Sequence, residues 1–348
     1  MKQRIMEDIR RCVKLQIPER VPYLPLGCQF DLDYSQVTPR QYRLDIDTMV
    51  RVHDKIVREF DYDWALLFPD DLIEYEGCGI EVTDEEKFPV AVRKYLQFSK
   101  SQVESLRFPE IGQGRMKLHL EALRLLKNNF GDQIAVGGRI ASPFSTCGLV
   151  FGIEATMITM IEQPELLQRA IEKFCAFNCR WAQAQLEAGA DLLWLGDCLA
   201  TSYFISPEDF ERFAAEGVDT CAEFIRSRGG ISIYHGGDIS IPHLTKAAQL
   251  CRLDAINTGG GIDLSQLKQM IGNKVCVTGN IDPIKTLRDG TAADVERSIR
   301  QMINACKIGG GYMFCTGEGV TPDTPPQNIR AMTEAVRTYG TYCTETCT

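Results

Sequence analysis

The sequence predicts an α/β protein built as a closed (β/α)8 barrel of the TIM type. Short apolar runs recur along the chain, each is followed by a helical pattern, and the runs number eight. Such runs are typical of strands buried on both faces of a parallel sheet, and their alternation with helices indicates βαβ units. Eight units favour a barrel. The runs are Val21–Leu26, Trp64–Leu67, Ile134–Gly138, Leu192–Leu195, Ile231–Tyr234, Ala255–Asn257, Val275–Thr278 and Tyr312–Cys315.

The signals at the helix ends support this alternation. Ser206-Pro207-Glu208-Asp209 combines a capping residue, a proline at the first helical position and two acids that favour a helix N-terminus. Thr291 and Asp294 have the spacing of a capping box. The glycines at 309–311 end that helix before the last apolar run.

Two regions fall outside the repeat. Residues 1–20 predict an N-terminal helix packed outside the barrel, and residues 70–110 form a long insertion after the second run. We expect this insertion to cover the barrel mouth as a lid. Because the chain shows no Ser/Gly-rich linker and no internal repeat, residues 1–348 are expected to form a single domain.

The charge balance limits the partners. The chain has 38 basic and 47 acidic residues and a net charge of −9, which argues against nucleic acid or an anionic membrane as a main partner. No apolar run reaches the roughly 20 residues of a membrane span, and the N-terminus shows no signal-peptide pattern. A cytoplasmic protein is therefore expected. Exposed barrel helices often pair, which leaves a homodimer possible.

The cysteine content is high, at fourteen residues. Without an export signal, these cysteines are expected to be reduced thiols rather than a disulfide framework. Cys175 and Cys179 are spaced i, i+4 on a predicted helix, so they share one helical face. Two such thiols can bind a metal, but buried small hydrophobes are the favoured interpretation.

Polar residues follow nearly every predicted strand. Active sites of TIM barrels lie at the carboxyl ends of the strands, so these residues are candidates for the site. A rim of His, Cys, Asp and Glu can form a metal site, although polar residues also occur wherever a chain turns. The candidates are Gln29, Asp70, Arg139, Asp197, Cys198, His235, Asn280, Cys315 and Glu318.

His235 and Glu318 are the sharpest of these candidates. His235 directly follows an apolar run and precedes Gly236-Gly237, where the backbone can turn sharply. A neutral imidazole can ligate a metal or move a proton near pH 7. Glu318 lies between two glycines just beyond the last run. The alternatives are a packing role for the histidine and a solvated turn for the glutamate.

Several segments resemble the uroporphyrinogen decarboxylase superfamily, mainly over residues 130–340. The segments are Asp191–Gly196, Ser206–Phe210, Tyr234–Gly237, Gly279–Pro283 and Gly319–Asn328. This superfamily has the (β/α)8 fold. Its true decarboxylases resemble one another in an arginine-bearing N-terminal loop, whereas here residues 26–31 contain no arginine. The resemblance is therefore stronger to the cobamide-dependent methyltransferase branch.

That branch implies a zinc ion that activates a nucleophile as a Lewis acid. Its pattern is His-x-Cys after the fifth strand and Gly-Cys-Gly after the eighth. His235 matches the histidine, Gly237 stands at the first cysteine, and Glu318 stands at the second. A third ligand is expected from Asp197, Cys198 or Cys315.

The exchange of thiolate for carboxylate makes such a centre harder, which favours a methoxy donor and O-demethylation over a thiol. If the metal has been lost, His235 and Glu318 are expected to form a general acid/base pair.

The resemblance implies a corrinoid-dependent methyltransferase that acts on a small methylated substrate. The sequence contains no corrinoid-binding Asp-x-His-x-x-Gly motif, so the cobamide is expected on a separate corrinoid protein. Asp197 is expected to act with His235 and Glu318 in catalysis. Substrate contacts are expected from Gln29, Asp70, Arg139 and Asn280. The alternatives are a metal-independent, decarboxylase-like lyase and a non-catalytic barrel that binds a corrinoid or tetrapyrrole.

Overall fold

The chain forms a curled, parallel, seven-stranded sheet surrounded by helices, as a computed structural model shows. The structure describes residues 5–237 and 240–342, apart from the side chain of Cys28. The seven strands pair in chain order, and a separate antiparallel pair lies in the insertion. The large sheet contains β1 (Trp64–Leu66), β4 (Ala135–Ala141), β5 (Leu192–Gly196), β6 (Ile231–His235), β7 (Ala255–Asn257), β8 (Cys276–Ile281) and β9 (Tyr312–Thr316); the small pair is β2 (Glu81–Val82) and β3 (Val92–Lys94).

Helices follow the strands as the sequence predicts, so the α/β alternation is confirmed. The predicted caps also form, with Ser206 accepting a hydrogen bond from the Asp209 amide and Thr291 and Asp294 closing a capping box. The helices are α1 (Ile5–Val13), α2 (Cys28–Tyr34), α3 (Pro39–Leu44), α4 (Ile46–Phe60), α5 (Lys100–Ser105), α6 (Gly114–Phe130), α7 (Pro143–Phe151), α8 (Ile153–Glu162), α9 (Pro164–Glu187), α10 (Pro207–Asp209), α11 (Ala215–Ser227), α12 (Ile241–Leu250), α13 (Leu264–Ile271), α14 (Ala292–Cys306) and α15 (Pro326–Tyr339), with π-helical turns at Phe210–Ala214 and Pro283–Arg288.

The first predicted strand, Val21–Leu26, is corrected by the structure. This segment is not a regular strand, because Pro22 and Pro25 have no N–H to donate to a ladder. It still lies between the two edges of the sheet. The Leu24 amide donates to the Phe314 carbonyl at 2.9 Å on one side, and the Asp63 amide donates to the Tyr23 carbonyl at 3.0 Å on the other.

Asp63, just before β1, holds this closing segment in place. Its buried carboxylate accepts two hydrogen bonds from Arg20, at 2.7 and 2.8 Å, and two from Arg337, both at 2.9 Å. It also accepts one from the Tyr23 amide at 2.8 Å. Burial opposes ionisation of Asp63, but the two guanidinium groups outweigh it and lower the pKa of the carboxyl.

The inner and outer faces of the sheet follow from the register. Gly138 faces outward, because a Cβ there would lie 2.2 Å from the Gln185 amide oxygen on α9. Paired residues of neighbouring strands share a face, and the face alternates along a strand. Gly196, His235, Asn257 and Thr278 are paired in sequence across β5 to β8, on the face opposite to the helices.

The insertion after β1 is anchored to the barrel by ion pairs. Arg139 on β4 donates to the Asp70 carbonyl at 3.0 Å and pairs with Glu74 at 3.4 Å. Arg115 on α6 donates to the Asp70 carboxylate at 3.1 Å. The insertion thus has a fixed position beside β1 and β4.

Among residues 5–237 and 240–342, no single helix is long and apolar enough to cross a membrane. Only when α7 and α8 are taken together do their length and composition match those of a membrane span, and the two helices are bent by 117° relative to each other.

Replacing Asp63 with alanine is expected to lower the free energy of unfolding by about 3–5 kcal/mol, because two arginines lose a buried partner. Urea unfolding measures this change. Glu59→Gln, which breaks an exposed pair with Arg330, is the control and should leave the midpoint nearly unchanged. Equal midpoints for the two variants would contradict the anchoring role of Asp63.

Candidate metal and substrate site

His235 ends β6 on the inner face of the sheet and is buried. Its ring packs against Trp194, with the ring centroids 4.8 Å apart. Its Nδ1 lies 2.8 Å from Oδ1 of Asn257, the residue paired with it on β7. Trp194 therefore packs on one face of the imidazole ring, and Asn257 holds its Nδ1 edge.

Asn257 determines which ring nitrogen of His235 carries the proton. The Asn257 Nδ2 group donates to Thr278 Oγ1 at 3.0 Å and to the Thr316 carbonyl at 3.4 Å. Since a carbonyl can only accept, Oδ1 must be the amide atom that faces His235. Nδ1 is then a donor, and Nε2 is the ring nitrogen that can bind a metal ion in exchange for a proton.

The free edge of His235 faces two anionic or soft donors. Nε2 lies 3.4 Å from Glu318 Oε2, and Glu318 is 49% exposed. Burial lowers the pKa of His235, but hydrogen bonds to Cys198 and Glu318 outweigh burial and raise it to about 10. The surroundings of Nε2 therefore favour positive charge, carried by a proton or a metal ion.

The glycine at position 237 leaves room for Glu318. A Cβ at Gly237 would lie 2.5 Å from Glu318 Oε1 and 3.8 Å from His235 Nε2. A side chain at position 237 would thus point at the same spot as the Glu318 carboxylate. Glu318 therefore occupies the space that a cysteine at position 237, the first cysteine of the expected pattern, would use.

The donor set of His235, Glu318 and Cys198 fits zinc, which accepts imidazole nitrogen, carboxylate oxygen and thiolate sulfur. Within the described ranges, these three donors are not all within 4.8 Å of one another. Glu318 Oε2 already lies 3.4 Å from His235 Nε2, so closure on an ion needs the three donors to approach one another further.

Asp197 is buried but directed to a different set of partners. Its Oδ1 accepts from the hydroxyls of Ser142 and Ser145, and its Oδ2 accepts from Tyr234 at 3.1 Å. Burial raises the pKa of Asp197 to about 6, although these hydrogen bonds act in the opposite direction and lower it. The structure brings this carboxylate to the start of α7 rather than to His235.

Cys315 and Asn280 are paired across β9 and β8, on the inner face. Cys315 is buried there. The Asn280 Nδ2 group donates to the carbonyls of Gly259 and Ile262 at 3.0 and 3.1 Å, and this ties down the loop after β7. Arg139 and Asp70 are likewise engaged, in the ion pairs that anchor the insertion.

A cavity of about 420 Å³ lies between the closing segment, the insertion and the loop after β9, and His235, Cys198 and Glu318 are not among the residues that line it. Its wall is mainly apolar and aromatic, and it continues to Gly319, directly after Glu318. Gln29 and Asp70 line it, as do Pro89 and Val90 of the insertion. This volume suits a small organic molecule.

Two polar residues of the cavity wall, Asp31 and His53, were not predicted. Asp31 is buried, and its Oδ1 has no hydrogen-bond partner among the residues described. Burial alone raises the pKa of Asp31 to about 8. Burial lowers the pKa of His53 to about 4, and its Nε2 lies 2.7 Å from the Tyr42 hydroxyl. Burial thus favours the neutral forms of both Asp31 and His53 in the cavity wall.

The fold is of the α/β barrel type, and its strand ends bring His235 close to Glu318. The sequence matches the family described as "Uroporphyrinogen decarboxylase (URO-D)" over residues 5–339. The chain belongs to this family, and the predicted superfamily is confirmed.

Relatives of two activities match this chain. A uroporphyrinogen decarboxylase of Tolumonas auensis is 26% identical over 82% of this chain and 81% of its own length. A methylcobamide:CoM methyltransferase, MtbA, of Methanosarcina mazei is 24% identical over 96% of this chain and 97% of its own. The methyltransferase branch expected from the sequence is therefore among the relatives.

Solved structures agree on the fold. A "methyltransferase from Methanosarcina mazei" superposes with a TM-score of 0.86 at 19% identity, covering 97% of this chain and 98% of its own. A B12-independent methionine synthase from Shewanella gives a TM-score of 0.56 at 11% identity, covering 92% and 95%.

The raised pKa of Asp31 has a consequence for stability. Its folded pKa of about 8 exceeds the unfolded value of about 3.9. The contribution of Asp31 to the free energy of unfolding is therefore complete below about pH 4 and is lost as the pH rises toward 8. Asp31→Asn is expected to flatten the fall in unfolding free energy across this window, measured by urea unfolding at several pH values.

Asp33→Asn is the matched control for this prediction, because Asp33 is an exposed carboxyl on the same helix, α2. It should keep the wild-type slope. A slope in Asp31→Asn equal to that of the wild type would contradict a protonated, buried Asp31.

Proposed function

We propose that this protein is a corrinoid-dependent methyltransferase, which moves a methyl group from a small methylated substrate to the cobamide of a separate corrinoid protein. One observation carries the proposal: the contact of Nδ1 with Asn257 turns Nε2 of His235 toward Glu318 and Cys198. The similarity to a methylcobamide:CoM methyltransferase over nearly the full chain supports it.

A metal, zinc by its donor preferences, is held in this proposal by His235, Glu318 and Cys198. When bound, it supplies Lewis-acid polarisation of the heteroatom that bears the methyl group. Because a carboxylate replaces a thiolate, the donor set is harder and suits an oxygen atom. We therefore propose a methoxy compound as the substrate class, with O-demethylation as the reaction.

The chain's own residues orient the substrate and exclude water. Asn257 fixes the His235 ring, and the apolar cavity wall holds the carbon skeleton of the substrate. Gln29, at the wall of the cavity, is proposed to hydrogen-bond the substrate. We propose that the insertion, residues 70–110, serves as a lid, since Pro89 and Val90 already form part of that wall.

Four predicted site residues take positioning roles in this proposal. Arg139 and Asp70 hold the insertion, and Asn280 holds the loop after β7, because their polar groups are bonded there. Asp197 anchors the start of α7 through Ser142 and Ser145. The proposed third donor to the metal is therefore Cys198, in the loop after β5, and Cys315 on the inner face of β9 is the alternative.

The corrinoid protein is proposed to dock on the loop that follows β5. Cys198 begins this loop, and two aromatic residues farther along, Tyr203 and Phe204, are 66% and 46% exposed. Exposed aromatic side chains are frequent anchors of protein interfaces. This surface is continuous with the proposed metal centre, which a methyl acceptor must approach.

Replacing both Tyr203 and Phe204 with alanine is expected to raise KM for the corrinoid protein about 30-fold or more with little change in kcat, since each interface anchor contributes about 1–2 kcal/mol. Steady-state assays with varied corrinoid protein measure this. Ile161→Ala, at an exposed isoleucine of α8, is the control. An unchanged KM in the double variant would place the docking surface elsewhere.

The reaction itself is tested with the corrinoid protein in its cob(I)alamin state and a series of methoxylated and other methylated compounds, by quantifying the demethylated product. His235→Ala is expected to lose about 100-fold or more in rate together with bound zinc. Asn257→Ala is expected to lose about 10–100-fold, the usual cost of removing the partner that orients a ligating histidine.

His243→Ala is the control. His243 is a buried histidine of α12 whose Nε2 lies 3.0 Å from the Ile205 carbonyl, and it is not one of the proposed metal donors. It should keep both zinc and activity. Zinc content and activity that are unchanged in His235→Ala would rule out the proposed centre.

A second candidate function is a metal-independent lyase of the decarboxylase type, in which His235 and Glu318 exchange a proton. Their separation of 3.4 Å and the raised pKa of His235 favour it, as does the similarity to a uroporphyrinogen decarboxylase. Carbon dioxide release from a porphyrinogen without bound metal supports this candidate. Tight corrinoid binding without turnover supports the non-catalytic barrel.

A further inference from the structure

Three thiols lie together on the outside of the barrel, away from the His235 centre. Cys175 and Cys179 belong to α9, and Cys221 belongs to α11, which packs against it. Their sulfur atoms all lie within 4.8 Å of one another. The spacing of the first two predicts a shared helical face, but the third thiol comes from another helix and was not predicted.

Hydrogen bonds organise the three thiols around one sulfur. Cys179, Cys221 and Thr220 donate to Cys175 and lower its pKa to about 4. The bond to Cys175 in turn raises the pKa of Cys179 to about 12, and the same kind of bond raises the pKa of Cys221. The three sulfur atoms therefore face one another around Cys175, as the donors of one ion would.

The burial of the cluster suits a bound ion. Cys221 is fully buried and Cys179 nearly so, whereas Cys175 is half-buried and gives access from solvent. In this part of the described chain, no histidine or carboxylate joins the three sulfurs. An all-sulfur donor set selects soft cations over Mg²⁺ or Ca²⁺.

We propose that Cys175, Cys179 and Cys221 bind one soft, thiolate-preferring metal ion of the class of copper(I) and zinc(II). Binding forms three metal–sulfur bonds and replaces the hydrogen bonds among the thiols. Each thiol that binds the ion releases its proton to solvent, with no change in the oxidation state of sulfur. The ion links α9 to α11 and so stabilises the outer helical layer.

Three sulfurs without a fourth protein donor distinguish the two cations. Copper(I) is stable with three thiolates, whereas structural zinc takes four ligands and would need a water molecule as the fourth. We therefore expect copper(I) to bind more tightly than zinc(II) at this cluster. The preference is opposite to that of the mixed donor set around His235.

The test uses full-length protein carrying His235→Ala, so that the proposed catalytic centre does not contribute. Copper(I) is titrated anaerobically against a chromogenic chelator, and zinc(II) is titrated in a parallel experiment. One equivalent of copper(I) per chain is expected, with an increase in Tm. Cys179→Ser in the same background is expected to weaken copper(I) binding at least tenfold and to abolish the increase in Tm.

Cys175→Ala provides a second variant at the half-buried position, where folding is least at risk, and Cys147→Ser is the control at a buried thiol of α7. The control should bind copper(I) as its parent does. Equal copper(I) affinity in Cys175→Ala, Cys179→Ser and the parent would overturn the proposal.

Discussion

The structure depends on the closure of the barrel by the segment that crosses between β1 and β9. Asp63 carries this closure, because its one carboxylate holds Arg20, Arg337 and the Tyr23 amide. The same segment then fixes the loop that bears Glu318, since the Val320 amide donates to the Leu26 carbonyl at 2.8 Å. The contacts that close the barrel therefore also place the loop that carries Glu318 close to His235.

The charges of the site follow from where its donors are placed. His235 is buried and oriented by Asn257, whereas Glu318 remains half exposed and able to move. The carboxylate occupies the space next to Gly237 where the expected pattern has a thiolate. This exchange is the physical basis for proposing an oxygen-bound methyl group as the substrate class.

Sequence reasoning found the parts of the site that depend on strand ends. The runs before His235 and Cys315 are strands, so both residues end up on the inner face. Alternation along a strand also explains the outcome for Asp197: its neighbour Gly196 faces inward, so Asp197 faces the helices. The first apolar run failed as a regular strand because its prolines cannot donate ladder hydrogen bonds.

Other features needed three-dimensional contacts that no local pattern contains. Asp31 lies on α2 rather than at a strand end, and only packing shows that its carboxyl is buried in the cavity wall. The sequence predicts Asn257 only as the end of a strand. Its contact with the His235 ring follows from the pairing of the two residues across β6 and β7. Cys221 joins Cys175 and Cys179 only because α11 packs on α9.

The most direct test of the account is X-ray absorption at the zinc K-edge of zinc-loaded protein in which Cys175, Cys179 and Cys221 are all replaced by serine. The account predicts one sulfur at about 2.3 Å together with nitrogen and oxygen ligands at about 2.0–2.2 Å. It also predicts that the sulfur signal disappears in Cys198→Ser. A protein that retains no zinc, or a spectrum without sulfur before that substitution, would contradict the proposed metal centre.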